Sequence, residues 1–281
     1  MDVFEEYGLR RVINAYDKAT PLGGARVAPE VAAAVAAILP EVVEMDALQA
    51  AAGRAIAEAS GAEWGCVTAC AAAAITLGVA ACMTGSDPAR VAQLPDTSGM
   101  KRRVVIQKGH CISFGAPVKQ MIRLAGAEVV EAGGDSGCQA WQVEAALANG
   151  GVAALMAVES YHTARYAGLK LPEMAALVRK AGAPLVVDAA TQELRLREIV
   201  AMGPDLVGCS AHKYFRSTTA GVVAGRRGLV EAVKLQNGGI GRPMKAGKEA
   251  VIGVIAALRA GLGEASEEWR RREGAKIDRI L

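Results

Sequence analysis

The chain has 281 residues, with 32 basic side chains against 29 acidic ones. At 52% hydrophobic and 22% charged it holds enough apolar material for a sizeable core, which excludes a disordered chain. The near balance of charge argues against nucleic acid or an anionic membrane surface as a main partner. The six cysteines form no C-x-x-C pair, so zinc ribbons and thioredoxin-type motifs are absent and no metal site is expected. The start, MDVFEEYGLRR, lacks the features of a secretory signal, and the expected compartment is the reducing cytoplasm.

In chain order, residues 1–28 read as an arm with turn signals at Pro21 and Gly23-Gly24. Pro29 opens a helix that runs to Leu39. A second helix follows Met45 to about Ala59 and stops at Gly61. Residues 64–86 carry no charge and are long enough to span a bilayer. They are rich in Ala, Thr, Gly and Cys, however, and are expected to form a short extended segment (66–68) and a buried helix (71–83) of a non-membrane domain. Residues 85–102, with two prolines and two glycines, read as a long loop.

Strands and helices then alternate. Strands are expected at 103–107, 127–131, 153–159, 184–188, 206–209 and 220–224. Helices are expected at 117–125, 141–148, 172–181 and 193–202. Continuous apolar strands separated by helices specify an α/β fold with a mostly parallel sheet covered on both faces.

Ligands of such sheets bind where the strands end. All three histidines (His110, His162 and His212) lie just past expected strand ends, as do Asp188, Ser210 and Lys213. An aspartate closing one buried strand and a lysine following the next suit pyridoxal 5′-phosphate (PLP). Its pyridine nitrogen needs an anionic partner to stay protonated, and its aldehyde condenses with a lysine amine. A phosphate cradle is available at Thr68, Ala69, Cys70 and Ala71, where small side chains leave N–H groups open at a helix start, and Ser210 adds a hydroxyl. Neither G-x-G-x-x-G nor a P-loop is present. His110 is placed to stack on the ring, His212 lies beside Lys213, and His162 and Gln192 suit the ring hydroxyl or a substrate carboxylate. Arg242, Lys245 and Lys248 form a basic cluster suited to an anionic group on a small substrate.

The segments RVINAYDKATPLGG (11–24), ACAAAAITLGVAA (69–81), VVDAATQE (186–193), SAHKYFRSTTAGVVAGRR (210–227) and GGIGRPMKAGKEAVIGVIAAL (238–258) resemble the selenocysteine-synthase-like group of fold-type-I PLP enzymes. LPDTSGMKRRVVIQKGH (94–110) and LAGAEVVEAGG (124–134) are similar to the D-glucosaminate-6-phosphate ammonia-lyase branch of that group. The resemblance implies an aspartate-aminotransferase-like large domain. Lys213 would carry the cofactor, Asp188 would pair with its ring nitrogen, and His110 would stack on the ring. Ala69, Cys70 and Ser210 would hold the phosphate, while Arg242, Lys245 and Lys248 would reach substrate, across a homo-oligomer interface. It also implies three parts: an arm and helix over 1–45, the cofactor domain over 46–260, and over 261–281 the start of a helix leading to a truncated C-terminal domain. The family's tRNA-binding N-terminal domain is not expected here, which speaks against seryl-tRNA as substrate. The expected reaction is removal of water and ammonia from a hydroxylated amino acid, giving a 2-keto-3-deoxy acid. A racemase or aldolase on the same cofactor, a selenium-transferase-like protein and a non-catalytic PLP-binding paralogue are the alternatives.

Overall fold

The computed structural model describes residues 2–14 and 18–260, together with 271, 274, 275 and 278. Apart from those four positions, the expectation for 261–281 lies outside the described residues. In chain order the elements are α1 (Val3–Glu6), α2 (Pro29–Ile38), α3 (Met45–Ser60), β1 (Trp64–Thr68), α4 (Ala71–Thr84), α5 (Pro88–Gln93), β2 (Arg103–Gln107), α6 (Val118–Leu124) and β3 (Glu128–Ala132). They continue as α7 (Ala140–Ala148), β4 (Val152–Val158), α8 (Leu171–Ala181), β5 (Leu185–Asp188), α9 (Leu196–Ala201), β6 (Leu206–Ser210), β7 (Gly221–Gly225), α10 (Arg227–Leu235) and α11 (Lys248–Arg259). The expected loop over 85–102 holds one helix, α5, whose Asp87 cap and first-turn proline are ordinary start signals in a loop-like composition.

The seven strands form one sheet in the order β1-β7-β6-β5-β4-β2-β3. β2 to β6 run parallel, and only β7 runs against its neighbours β1 and β6. The central strands are buried on both faces, as their uninterrupted apolar sequences require: every residue of VAALMAV in β4 is buried. Alternate residues feed two cores. Leu185, Val187, Val207 and Cys209 face the layer of α2, α3, α8, α9 and α11, while Val186 and Leu206 face α4, α6 and α10.

The uncharged stretch 64–86 becomes β1, a turn and α4, a helix buried almost throughout. No helix among the described residues is long and apolar enough to cross a membrane. Alanine is what lets α4 lie so close to the sheet: a Cβ at Gly208 of β6 would stand 3.1 Å from that of Ala74. The outer edge of β1 is closed by Gln49 of α3, whose amide accepts from Val67 N–H at 3.0 Å and donates to Val67 O at 2.8 Å. That substitutes for a missing strand partner.

Candidate active site

Because β4, β5 and β6 run parallel, their ends lie along one edge of the sheet. Val158 pairs with Asp188, and Asp188 with Gly208. One step further along, Ser210 pairs with Gly221, and Gly221 with Thr68. The register therefore sets the entry to α4 level with Ser210 across the intervening β7, with Asp188 one strand further on in β5.

Asp188 is buried, and its Oδ1 accepts from the Ala190 N–H at 3.0 Å. Burial pushes its carboxyl up to about 6, opposed by that N–H and by Lys213. A carboxylate so placed is poorly solvated, and a cationic ring N–H against it would restore the charged form.

Lys213 projects from a tight turn after β6. Ala211 N–H donates to Ala220 O, Ser217 N–H to Ala211 O at 3.0 Å, and Arg216 N–H to Lys213 O at 3.2 Å. Arg216 closes the turn at φ +54, a left-handed conformation that costs a non-glycine residue about 1–2 kcal/mol. The N-terminal arm lies over this turn. Ala25 N–H donates to His212 O at 2.8 Å, and Gly24 (φ +82) comes so near that a Cβ there would stand 2.5 Å from His212 O. His212 is buried with neither ring nitrogen hydrogen-bonded among the described residues, and burial together with Lys213 pushes its pKa down.

At the α4 entry, Cys70 is the N-cap, its Sγ accepting from Ala73 N–H at 3.4 Å. The first-turn N–H groups of Ala71 and Ala72 have no intrahelical acceptor and are the natural anion donors. Two of the four expected cradle residues are otherwise engaged: Ala69 N–H donates to Met244 O, and the Thr68 hydroxyl to Cys70 O, both at 3.0 Å. Gly221 opens the space beside this turn, since a Cβ there would lie 2.3 Å from both Cys70 O and Thr68 Oγ1.

His110 lies in the turn after β2, buried. Its Nδ1 accepts from the Val158 N–H at 3.0 Å, and its ring meets Tyr166 edge-on at 6.0 Å. Burial, with Lys170 adding to it, pushes its pKa down to about 4, so the ring is neutral at physiological pH. It borders a cavity of about 260 Å³ that is also lined by Glu159, Tyr166, Gln192 and Arg195, but not by Asp188 or Lys213. Arg195 is held there by Glu159 at 3.0 Å, Gln192 at 3.1 Å and Glu198 at 2.8 Å.

The remaining expected residues are more scattered. His162 is exposed and its ring lies 3.9 Å from that of Tyr161. Arg242 and Lys245 are exposed beside the α4 entry, where Lys245 bridges to Thr68. Lys248 does a different job: its ammonium donates to Leu39 O at 2.7 Å and to Glu41 O, tying the start of α11 to the chain beyond α2. One residue that sequence reasoning passed over stands out. Glu193, five positions beyond Asp188, is fully buried beside Tyr214, and its Oε2 has no hydrogen-bond partner among the described residues. No cluster of metal-ligating side chains occurs among the described residues.

This fold is that of the aspartate-aminotransferase-like PLP enzymes. A Thermus thermophilus aspartate aminotransferase variant superposes with a TM-score of 0.60 at 17% identity, covering 90% of this chain and 72% of that one. Residues 18–271 match the SelA family, L-seryl-tRNA selenium transferase, and the chain belongs to that family. It is 42% identical over 257 residues to the D-glucosaminate-6-phosphate ammonia lyase of Salmonella typhimurium, covering 92% of this chain and 69% of that protein. A solved D-glucosaminate-6-phosphate ammonia-lyase structure matches with a TM-score of 0.89 at 41% identity, covering 92% of this chain and 70% of that one. The 5′-C-glycyluridine monooxygenase-decarboxylase of a Streptomyces species is 39% identical, covering 91% of this chain and 64% of that protein. Family and fold indicate PLP as the cofactor. The residues present fit it: a buried carboxyl in need of a cation, a part-exposed lysine on the next turn, open helix-start N–H groups, and unpartnered polar atoms at His212 and Glu193.

Proposed function

We propose that the chain is a PLP-dependent ammonia-lyase acting on a hydroxylated, anionic amino acid of the D-glucosaminate 6-phosphate type. The observation that carries this reading is the buried Asp188 at the end of β5 beside the Lys213 turn after β6, in a chain 42% identical to such a lyase. When bound, PLP supplies an aldehyde carbon for the substrate amine and a ring that withdraws the charge left on Cα. Asp188 holds a proton at the ring nitrogen, because its buried carboxylate is stable only against a cation. Lys213 Nζ takes the Cα proton as general base, and departure of the β-hydroxyl follows. The water lost in that step is returned on hydrolysis, so the net products are a 2-keto-3-deoxy acid and ammonia. Ala71, Ala72 and Ser210 hold the cofactor phosphate. Arg242 and Lys245, both exposed near the α4 entry, meet the substrate's anionic end. The reading includes a cytoplasmic homo-oligomer.

The test is the PLP-loaded protein with D-glucosaminate 6-phosphate, following ammonia and 2-keto acid together. Equimolar release is expected, and Lys213→Ala should lower the rate by about 10²–10⁴-fold. Release of carbon dioxide without ammonia would instead place the chain with the decarboxylase relative.

A further inference from the structure

The cavity beside His110 lies at the ends of β2 and β4, on the far side of Asp188 from the α4 entry. Its volume of about 260 Å³ has room for roughly eight water molecules. It adjoins the cofactor edge directly. His110 and Gln192 border both, and the Glu159 N–H donates to Asp188 O at 2.8 Å. Buried Leu171 and Met174 form part of its floor, while exposed Tyr161 and Lys170 mark its mouth. Two of its wall residues are cations, since His110 is neutral. The Arg195 guanidinium is already answered by Glu159 at 3.0 Å and Glu198 at 2.8 Å. The Lys170 ammonium has no ion pair among the described residues. Hydrogen-bonding capacity remains as well. Glu159 spends Oε1 on Arg195 and keeps Oε2 as an acceptor, and Gln192 spends its amide oxygen there and keeps its NH2 as a donor.

The segment that carries Lys170 is held in place. Gln107, fully buried at the end of β2, donates to Leu169 O at 3.1 Å and accepts from the Leu169 N–H at 2.8 Å. The Lys170 N–H in turn donates to Glu173 Oε2 at 2.8 Å. The backbone at the lysine is thus fixed while its ammonium stays open to a ligand. A free ammonium, a carboxylate and an amide donor over an apolar floor suit a chain of hydroxyl groups that ends in an anion. We propose that this cavity takes the hydroxylated tail of the substrate, with Lys170 meeting its terminal phosphate and Glu159 and Gln192 meeting its hydroxyls. Lys170 then sets the preference for a phosphorylated substrate. Arg242 and Lys245, towards the other end of the edge, are left to the carboxylate.

This assignment rests on the lyase reading above, but its test needs no turnover. The PLP-loaded full chain is titrated calorimetrically with D-gluconate 6-phosphate and with D-gluconate, which lack the amine and so cannot condense with the cofactor. The phosphorylated ligand should bind more tightly to wild type. Lys170→Gln should shrink that advantage by about tenfold or more, and Lys170→Arg should restore most of it. Arg242→Gln should weaken both ligands alike. No advantage in wild type, or one that survives intact in Lys170→Gln, overturns the proposal. So does an advantage lost in Arg242→Gln and kept in Lys170→Gln, which would put the phosphate at the α4 entry. Turnover reads the parent assignment separately. The kcat/KM for D-glucosaminate 6-phosphate relative to D-glucosaminate should fall in Lys170→Gln in step with binding. A wild type that releases no ammonia overturns the lyase reading, while the binding comparison still decides what the cavity holds.

Discussion

Asp188 shows the conflict that a cofactor site imposes on the free protein. Its unfolded carboxyl loses its proton near pH 4, while the folded one keeps it to about 6. Between those values the unfolded state binds fewer protons, so stability is full below the window, falls as pH rises through it, and stays lower above. A shift of that size corresponds to a cost on the order of 3 kcal/mol at neutral pH. Asp188→Asn should therefore make the apo protein more stable than wild type at pH 7 and equal to it near pH 4, as urea midpoints would show. The same variant should be nearly inactive with PLP, because an amide cannot hold the ring nitrogen protonated. A variant less stable than wild type at neutral pH would mean that Asp188 sits comfortably charged without the cofactor, contrary to its burial.

At the scale of elements, the site depends on how closely β7 approaches the turn between β1 and α4. Gly221 is the contact point, and an added methyl would collide with backbone and hydroxyl oxygens 2.3 Å away. Gly221→Ala should cost about 1–3 kcal/mol and weaken PLP binding, because the displaced atoms belong to the α4 entry; urea midpoints and a PLP titration read the two effects. Much of this architecture is legible from sequence, since apolar runs of strand length separated by helices dictate a covered parallel sheet. Asp188 and Lys213 are legible too, for polar residues that end such runs must lie at its edge. Less legible is whatever depends on contact between distant segments. Lys248 reads as one more cation of a basic cluster, yet its ammonium is drawn to the carbonyls of Leu39 and Glu41. His110 reads as a ring-stacking residue, but the group that orients its ring, the Val158 N–H, lies 48 positions away. Glu193 draws no notice in the sequence, because nothing local announces that the turn after β6 will cover it. The two helices after β7 escape notice for another reason: their flanks are rich in Gly, Arg and Lys, and their apolar faces have meaning only against distant elements, α4 and β1 for α10 and α2 and α3 for α11.

At the scale of the whole molecule, the groups that fit the cofactor come from three separate places: the α4 entry, the end of β5, and the turn after β6. In the free protein these are joined through the sheet and through single hydrogen bonds such as that from the Tyr214 N–H to Glu193, with the N-terminal arm lying on His212. The lysine turn also carries the left-handed Arg216. A ligand touching all three places ties them together and stabilises the fold by mass action, by about 2.7 kcal/mol at a hundred times its Kd. For amides that exchange by local opening, that gain should be uneven. PLP should slow exchange in 68–72, 188–193 and 210–217, where its contacts fall. β3 and α7, at the far edge of the sheet beyond β4, should keep their apo rates. Lys213→Ala should retain the slowing at 68–72, which depends on phosphate, but lose most of it at 210–217, where the covalent tether acts. Slowing confined to β3 and α7 would place the cofactor elsewhere on the sheet, and would count against both the α4 entry and the β5–β6 edge as its seat.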